Sequence, residues 1–396
     1  MSVKVNRDEL IAYRLEAQNL NRRLTEQSLV TATGVCGVQN SPPGSALLAL
    51  NARVGGVTSE AVNTASSDDK GLLQSWCMRG APFYFPTSDL PIFTTGVLPP
   101  TETGQRHLIL GIEASLDKLE MSLAEVVDRT RDTIGSVLSG RRLTVNELGR
   151  EIAERIAHEL PKNTRARWER EGPYAKGQRL GEGVVHFCLR ILTLDKIICF
   201  APRDGSKAPF VLLDEWLDTE VPEMAPEDAR AELLRRYLHA YGPSTRGDFA
   251  SWIGVRSREG ESWWNLLEDE LTEVDFGRRT WVLTEDLDAL QSPPTPTGVR
   301  LLPPRDPYVQ GRDRETIIDK QFHSDVFKTV GEPGTVLVDG RIIGTWRARK
   351  KGKNLSVSVT AFGRLSAHTK KSVDAEAKKV ASLRGAAAVE VDVDSD

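Results

Sequence analysis

Long hydrophobic runs are missing from this chain of 396 residues: no stretch of about 18 apolar residues is present that would cross a bilayer as a helix. The opening MSVKVNRDEL brings charge with no apolar region behind it, so a secretory signal is not expected and a cytoplasmic protein is. Cysteine is scarce. Cys36, Cys77, Cys188 and Cys199 lie far apart with no C-x-x-C pair, a pattern of reduced thiols rather than of disulfides or a zinc site. The 6 histidines are equally scattered, with no H-x-x-x-H and no H-E-x-x-H. No metal and no cofactor are expected. A Walker loop is absent, and no Ser-His-Asp or Cys-His arrangement stands out.

What is present is a globular composition, 39% hydrophobic and 27% charged, long enough for two to four domains. The net charge of -4 leaves a nucleic-acid partner open, because local distribution matters more than the sum. That distribution is uneven. From Gly340 to Lys353 there are Arg341, Arg347, Arg349, Lys350, Lys351 and Lys353 and no acid, whereas Val389 to Asp396 carries Glu390, Asp392, Asp394 and Asp396. The acidic run reads as a solvated end.

One supersecondary pattern recurs along the chain. Helices are expected near Arg7–Gln18, Thr25–Gly34 and Ser45–Val54, followed by strand-like Leu72–Met78, a bend at Arg79-Gly80-Ala81-Pro82, and Phe83–Phe85. The second copy has an amphipathic stretch from Ser115 to Leu138. A capping box, Thr144-Val145-Asn146-Glu147, opens a helix to Glu159, and Leu180–Leu194 makes another. Ile197–Phe200 and Phe210–Leu213 flank Asp204-Gly205, a strong hairpin signal. The third copy runs from a helix at Glu227–Tyr241, through a short helix capped by Thr245, to a helix at Ser257–Leu271 and a strand at Thr280–Thr284. Beyond the linker Gln291–Gly298, short strands at Thr335–Val338, Arg341–Trp346 and Leu355–Val359 precede a helix at Ala375–Leu383. The expected fold is α+β: three tandem winged-helix (helix-turn-helix) units, residues 1–114, 115–222 and 223–296, then a small C-terminal antiparallel β-domain, 297–396.

The candidate chemistry sits at Gln39-Asn40-Ser41, between an apolar helix and a proline-rich bend. Ser41 precedes Pro42, which favours extended backbone and projects residues 39 and 41 to one side. Such a pair either holds a water or a ligand, or Ser41 caps the next helix with Pro42 at its first position and its oxygen on the amide of Gly44 or Ser45. The basic hairpin, through Arg347, Arg349, Lys350, Lys351 and Lys353, suits phosphates, with Trp346 or Ile343 as a wedge for a minor groove; alternatively it is a charge-protected edge strand. Arg79, at a turn beside aromatic residues, reaches a phosphate or the segment around Gln39, or else pairs with a carboxylate such as Asp89. Leu301-Leu-Pro-Pro-Arg-Asp-Pro-Tyr308 and Gly311-Arg-Asp-Arg314 either frame a binding surface or dock the last domain through Asp–Arg bonds.

Together with Cys36-Gly-Val-Gln-Asn-Ser41, Trp76-Cys-Met-Arg-Gly-Ala-Pro82 and Val338-Asp-Gly-Arg-Ile-Ile-Gly-Thr-Trp346, those segments make the chain resemble the AlkZ/YcaQ-like winged-helix DNA glycosylases over essentially its whole length. The resemblance implies hydrolysis of N-glycosidic bonds of alkylated purines, in some members at interstrand crosslinks, by a monomer acting on double-stranded DNA. The family's catalytic Gln-x-Gln or Gln-x-Asp falls on Gln39-Asn40-Ser41, where the first residue matches and the last does not. It makes Gln39 the residue that positions a water, with Ser41 or Asn40 assisting, and Arg79 and the basic hairpin the DNA-binding groups. The alternative is a winged-helix DNA-binding protein without catalysis, a regulator or a lesion sensor.

Overall fold

The computed structural model describes residues 3–395. Helix α1 (Arg7–Ala17) opens with a capping box in which the Asn6 side chain accepts from the Glu9 amide and Glu9 accepts from the Asn6 amide, both at 2.9 Å. Helix α2 (Leu29–Gly34) starts later than the Thr25 start expected from sequence, because Thr25 to Ser28 close a turn of their own. Helix α3 (Ser45–Arg53) follows the Gln39 segment. Next, β1 (Leu72–Trp76) and β2 (Pro82–Pro86) form the anticipated hairpin, with Leu73 opposite Phe85.

The amphipathic stretch from Ser115 is two helices, α4 (Glu113–Leu119) and α5 (Leu123–Leu138), broken where Glu120 takes a left-handed φ of 56°. Along α5, Leu123, Val126, Val127, Thr130, Ile134, Val137 and Leu138 are buried, a one-sided helical stripe. The Thr144–Glu147 capping box is formed at the start of α6 (Val145–Glu159), and α7 spans Leu180–Leu194. Strands β3 (Ile198–Phe200) and β4 (Pro209–Leu212) pair antiparallel, and Gln74 of β1 pairs with Phe200 of β3.

Helix α8 (Pro226–Tyr241) precedes α9 (Arg246–Ile253), where Thr245 accepts from the Asp248 amide at 3.1 Å. The helix expected over Ser257–Leu271 is only Glu261–Trp264 with a 3-10 extension to Glu270. Leu271 starts β5 (Leu271–Asp275) instead, which pairs with β6 (Arg279–Leu283). The C-terminal sheet has the order β7-β8-β9-β10-β11: β7 (Val299–Leu302), β8 (Gly334–Val338), β9 (Arg341–Lys351), β10 (Asn354–Ala361) and, after helix α10 (Ala367–Leu383), β11 (Ala388–Ser395).

This last strand overturns two expectations. The acidic run is not a loose end, and the sheet is not wholly antiparallel, because β11 pairs parallel to β10 from Asn354↔Ala388 to Ala361↔Ser395. Val389, Val391 and Val393 pack on the core made by Leu355, Val357, Val359 and the inner face of α10, which leaves Glu390, Asp392 and Asp394 exposed. The acids therefore read out a period of two, the signature of a half-buried strand.

The chain divides into two compact units. One comprises Asn63–Leu233 and Ala250–Leu266, with a core built from α4 to α7 and the β3–β4 hairpin, including Val126, Ile152, Trp168 and Leu189. The other collects the remaining described residues from both ends of the chain. Its cores lie between α1 and the loop of Tyr308 and Val309, between α10 and the C-terminal sheet, and between α1 and the β5–β6 hairpin.

Candidate active site and basic surfaces

Two left-handed glycines, Gly37 (φ 70°) and Gly44 (φ 86°), bracket the extended pair Val38–Gln39 and the bend that follows it. Between them Gln39 is 3% and Asn40 7% exposed, while Ser41 is half-buried. The Gln39 carbonyl accepts from the Ser45 hydroxyl at 3.0 Å, and its carboxamide donates to the Ser41 carbonyl at 3.5 Å. Asn40 Oδ1 accepts from the Gly44 amide at 2.9 Å and more distantly from the Ala46 amide at 3.5 Å. The capping task expected of Ser41 is thus done by Asn40. Helix α3 begins at Ser45 with Gly44 before it, so Pro42 is not its first residue. The Ser41 hydroxyl has no hydrogen-bond partner among the described residues.

The far end of α3 is locked by charge. Arg53 donates to both oxygens of Asp306 at 2.8 Å, and to the Ala49 carbonyl at 3.0 Å. The pair is buried, at 2% and 1% exposure. Burial disfavours the guanidinium charge, yet Asp306 outweighs it and raises the Arg53 pKa above its ordinary value. Asp313, further along the same loop, accepts from Arg14 of α1 at 2.8 Å, and Arg14 also donates to the Gly242 and Pro243 carbonyls. The Arg-Asp segments therefore fasten the loop to α1 and α3, the docking alternative of the sequence reading. Nearby, Cys36 lies 3.7 Å from the Tyr241 hydroxyl, and burial pushes its thiol up to about 11, which keeps it protonated and inert.

Arg79 lies in the other unit. It adopts a left-handed φ of 57°, donates to the Trp252 carbonyl, and stands 5.9 Å from the Phe83 ring centre. Neighbouring Gly80 and Gly254 leave room for side chains of Arg190 and Arg79 that a Cβ would crowd.

The basic hairpin divides by face. On β9, Arg347, Arg349 and Lys351 point to the exposed side, opposite Ser358, Ser356 and Asn354 of β10. Arg347 donates to the Gly331 carbonyl and Lys350 to the Arg384 carbonyl, both at 2.6 Å, while Lys351 and Lys353 are exposed. Trp346 cannot serve as a wedge: it is 2% exposed, and its indole donates to the Leu302 carbonyl at 2.7 Å. Ile343 packs against the sheet core. The sequence reading missed Arg7, Arg14 and Arg53, whose partners lie some 250 to 310 residues away and left no local signal.

Comparison with known proteins supplies the family. A family model described as DNA glycosylase AlkZ-like matches residues 32–383. The chain is 28% identical over 397 residues, covering 97% of itself and 98% of its relative, to an interstrand DNA cross-link repair glycosylase of Streptomyces sahachiroi. Its structure is similar to that of the Streptomyces sahachiroi DNA glycosylase AlkZ, with a TM-score of 0.76, 26% sequence identity, and 99% and 100% of the two chains covered. The mixed helix-and-sheet architecture agrees over that length. The chain belongs to the AlkZ-like family and is a DNA glycosylase, a hydrolase of N-glycosidic bonds.

Proposed function

We propose that this glycosylase releases alkylated purines from duplex DNA, including purines joined in an interstrand crosslink, and that Gln39 orients the attacking water. The crosslink reading rests on the likeness to the interstrand DNA cross-link repair glycosylase of Streptomyces sahachiroi. The supporting observation for the water is the arrangement at the bend: an almost enclosed Gln39 carboxamide, with the uncommitted Ser41 hydroxyl two residues on. Asn40, committed to the amides of the bend, holds the geometry rather than the water.

Alkylation at N7 or N3 makes the purine cationic and a good leaving group, so no general acid is needed. The C1′–N bond breaks with its electron pair going to the base, which leaves neutral. Water oxygen bonds to C1′ of the oxocarbenium-like sugar and gives up its proton to solvent, producing an abasic site. A carboxamide cannot be a strong base, but it accepts and donates hydrogen bonds and so can hold a water at C1′. Each of the three helical groups followed by an antiparallel hairpin, β1–β2, β3–β4 and β5–β6, is proposed as a winged-helix unit. Arg79 and the exposed Arg349, Lys351 and Lys353 are proposed to contact phosphates.

The test is an oligonucleotide carrying 7-methylguanine, alongside a crosslinked duplex. Wild type should release base and leave alkali-labile sites, and Gln39→Ala should be slower by about 100-fold or more, the usual scale for a lost catalytic hydrogen-bonding group. Ser41→Asp, which restores the family's Gln-x-Asp pair, should speed release by placing charge beside the developing cation. No base release from any alkylated or crosslinked substrate would sink the reading. Equal rates for wild type and Gln39→Ala would remove Gln39 from it.

A further inference from the structure

Guanidinium groups crowd a cleft in the unit that carries Gln39. The cleft has a volume of about 590 Å³ and takes its walls from three distant stretches: Arg7 of α1, Phe276–Arg278 in the β5–β6 turn, and residues 312–323. Its cations are Arg7, Arg278, Arg312 and Arg314; its acids are Asp313 and Glu315. Asp313 is already engaged by Arg14 at 2.8 Å and by the Thr316 hydroxyl at 3.0 Å. Arg7 is braced by the Thr316 carbonyl at 2.7 Å and by Asp319 at 2.9 Å, and Arg278 by Asp248 at 2.8 Å.

Arg314 differs from these. It is exposed and stacks at 4.1 Å over the Phe327 ring, and among the described residues no carboxylate lies within ion-pair distance of it. Arg312, two residues before it, is half-buried, and both its burial and the neighbouring Arg314 charge press against its own. His323 completes the wall. One ring nitrogen lies 3.0 Å from the Ile318 carbonyl, where it must carry a proton.

Like charges gathered in a concavity repel one another, and an anion seated among them relieves that repulsion. Guanidinium forks match tetrahedral oxyanions in shape and in number of donors. We propose that this cleft is a phosphate site that takes a backbone phosphodiester of the DNA strand, with Arg314 supplying the principal contact and Arg278 a second. The assignment rests on the chain being a DNA glycosylase and not on the chemistry proposed for Gln39. It also explains why the loop is anchored so firmly. Asp313, between Arg312 and Arg314, is tied to α1, and Asp306 is tied to Arg53 at the end of α3, whose start follows the Gln39 bend. A phosphate held here is in fixed register with that bend. Arg7 borders a second cleft of about 270 Å³ with Arg341 and Arg364, so basic side chains continue from this site toward β9.

The experiment measures binding of the full chain to an undamaged duplex between about 50 and 200 mM salt, for wild type, Arg314→Gln, Arg278→Gln and Arg314→Lys, with melting temperatures to confirm folding. Each glutamine variant should weaken binding about 3- to 10-fold and reduce the salt slope by about one. Arg314→Lys, which keeps the charge, should restore the slope. Unchanged affinity and slope in both glutamine variants would overturn the proposal. A thermal-shift titration with inorganic phosphate separates the possible sources of the anion. If phosphate stabilises wild type but not Arg314→Gln while duplex binding is equal, the cleft takes a free small anion and the DNA assignment is wrong. Base release is not read in any arm, so failure of the Gln39 mechanism leaves these outcomes unchanged, and the converse holds.

Discussion

Arg53 gives up nearly all its hydration to face Asp306, and among the described residues no other cation pairs with that carboxylate. A buried pair of this kind is worth little against well-packed apolar residues, but breaking it leaves one charge stranded. Arg53→Met should therefore lower the unfolding free energy by about 3–5 kcal/mol in urea melts, and Arg53→Met with Asp306→Leu should recover most of it. A double variant as unstable as the single one would show that the bond itself, and not the stranded carboxylate, carries the stability. The Gln39 bend draws on different physics. Its shape comes from Asn40 reaching the Gly44 amide and from left-handed backbone at Gly37 and Gly44. The sequence shows the glycines and the short polar residues. It does not reveal which of Asn40 and Ser41 turns inward, since both side chains reach nearby amides well.

The C-terminal sheet shows what charge does on one face of an element. Across its exposed side, Arg347 and Arg349 of β9 stand beside Ser358 and Ser356 of β10, which stand beside Asp392 and Glu390 of β11. Two strand spacings separate cations from anions, roughly 10 Å, about one screening length at 0.1 M salt. The acids should thus subtract from the pull of the basic strip on DNA. Neutralising them as Glu390→Gln with Asp392→Asn should tighten duplex binding about 2- to 5-fold at low salt, and Arg349→Gln with Lys351→Gln should weaken it and flatten the salt dependence. Equal affinities for all three proteins would mean that DNA does not meet this face. The acidic strand was legible in principle, because valines alternate with acids, but the clustered charge masked the alternation. The opposite error fell on Ser257–Leu271. There the apolar spacing resembles a helix, yet Leu271 is needed opposite Leu283 in the β5–β6 hairpin, and that long-range pairing wins. Elements whose signal is local, such as the Thr144–Glu147 capping box and α7, matched their expected bounds closely.

At the scale of the molecule, the two units differ in how much of them sequence alone could disclose. The core around α5, α6 and α7 comes from one contiguous stretch with strong helical periodicity. The other unit joins residues far apart in sequence, so its clefts and the distant partners Arg14 and Arg53 had no local trace, whereas the segments around Asp306 and Asp313 did. It also contains a pH-sensitive pair: His239 lies 2.9 Å from Asp286, and that hydrogen bond raises its pKa above the ordinary value, against the opposing effect of burial. The sign follows from linkage. The stabilisation is fully present below the unfolded histidine value, about 6.5, and is lost as pH rises through the higher folded value. With the ring 48% exposed, solvent screening holds the effect below about 1 kcal/mol. The melting temperature should fall slightly from pH 6 to pH 8, and His239→Gln should flatten that slope; an unaltered slope would assign it to other groups.

The discontinuous unit also sets an order of events during synthesis. Val3 pairs with Val274, Asp8 with Arg341, and Arg23 with Glu376, so the short strand Val3–Lys4 and part of the cover of α1 wait for residues made roughly 270 to 350 positions later. Residues 63–233 can collapse on their own core long before that. At about 5–20 residues per second, the interval from residue 233 to residue 376 is on the order of ten seconds. Through much of that interval Leu10 waits for Val274, Val282 and Leu290. Ile11 and Leu15, which meet Leu20 and Ala52 early, wait for the residues from Leu302 to Ile342, which leaves α1 a segment of the nascent protein in need of a chaperone.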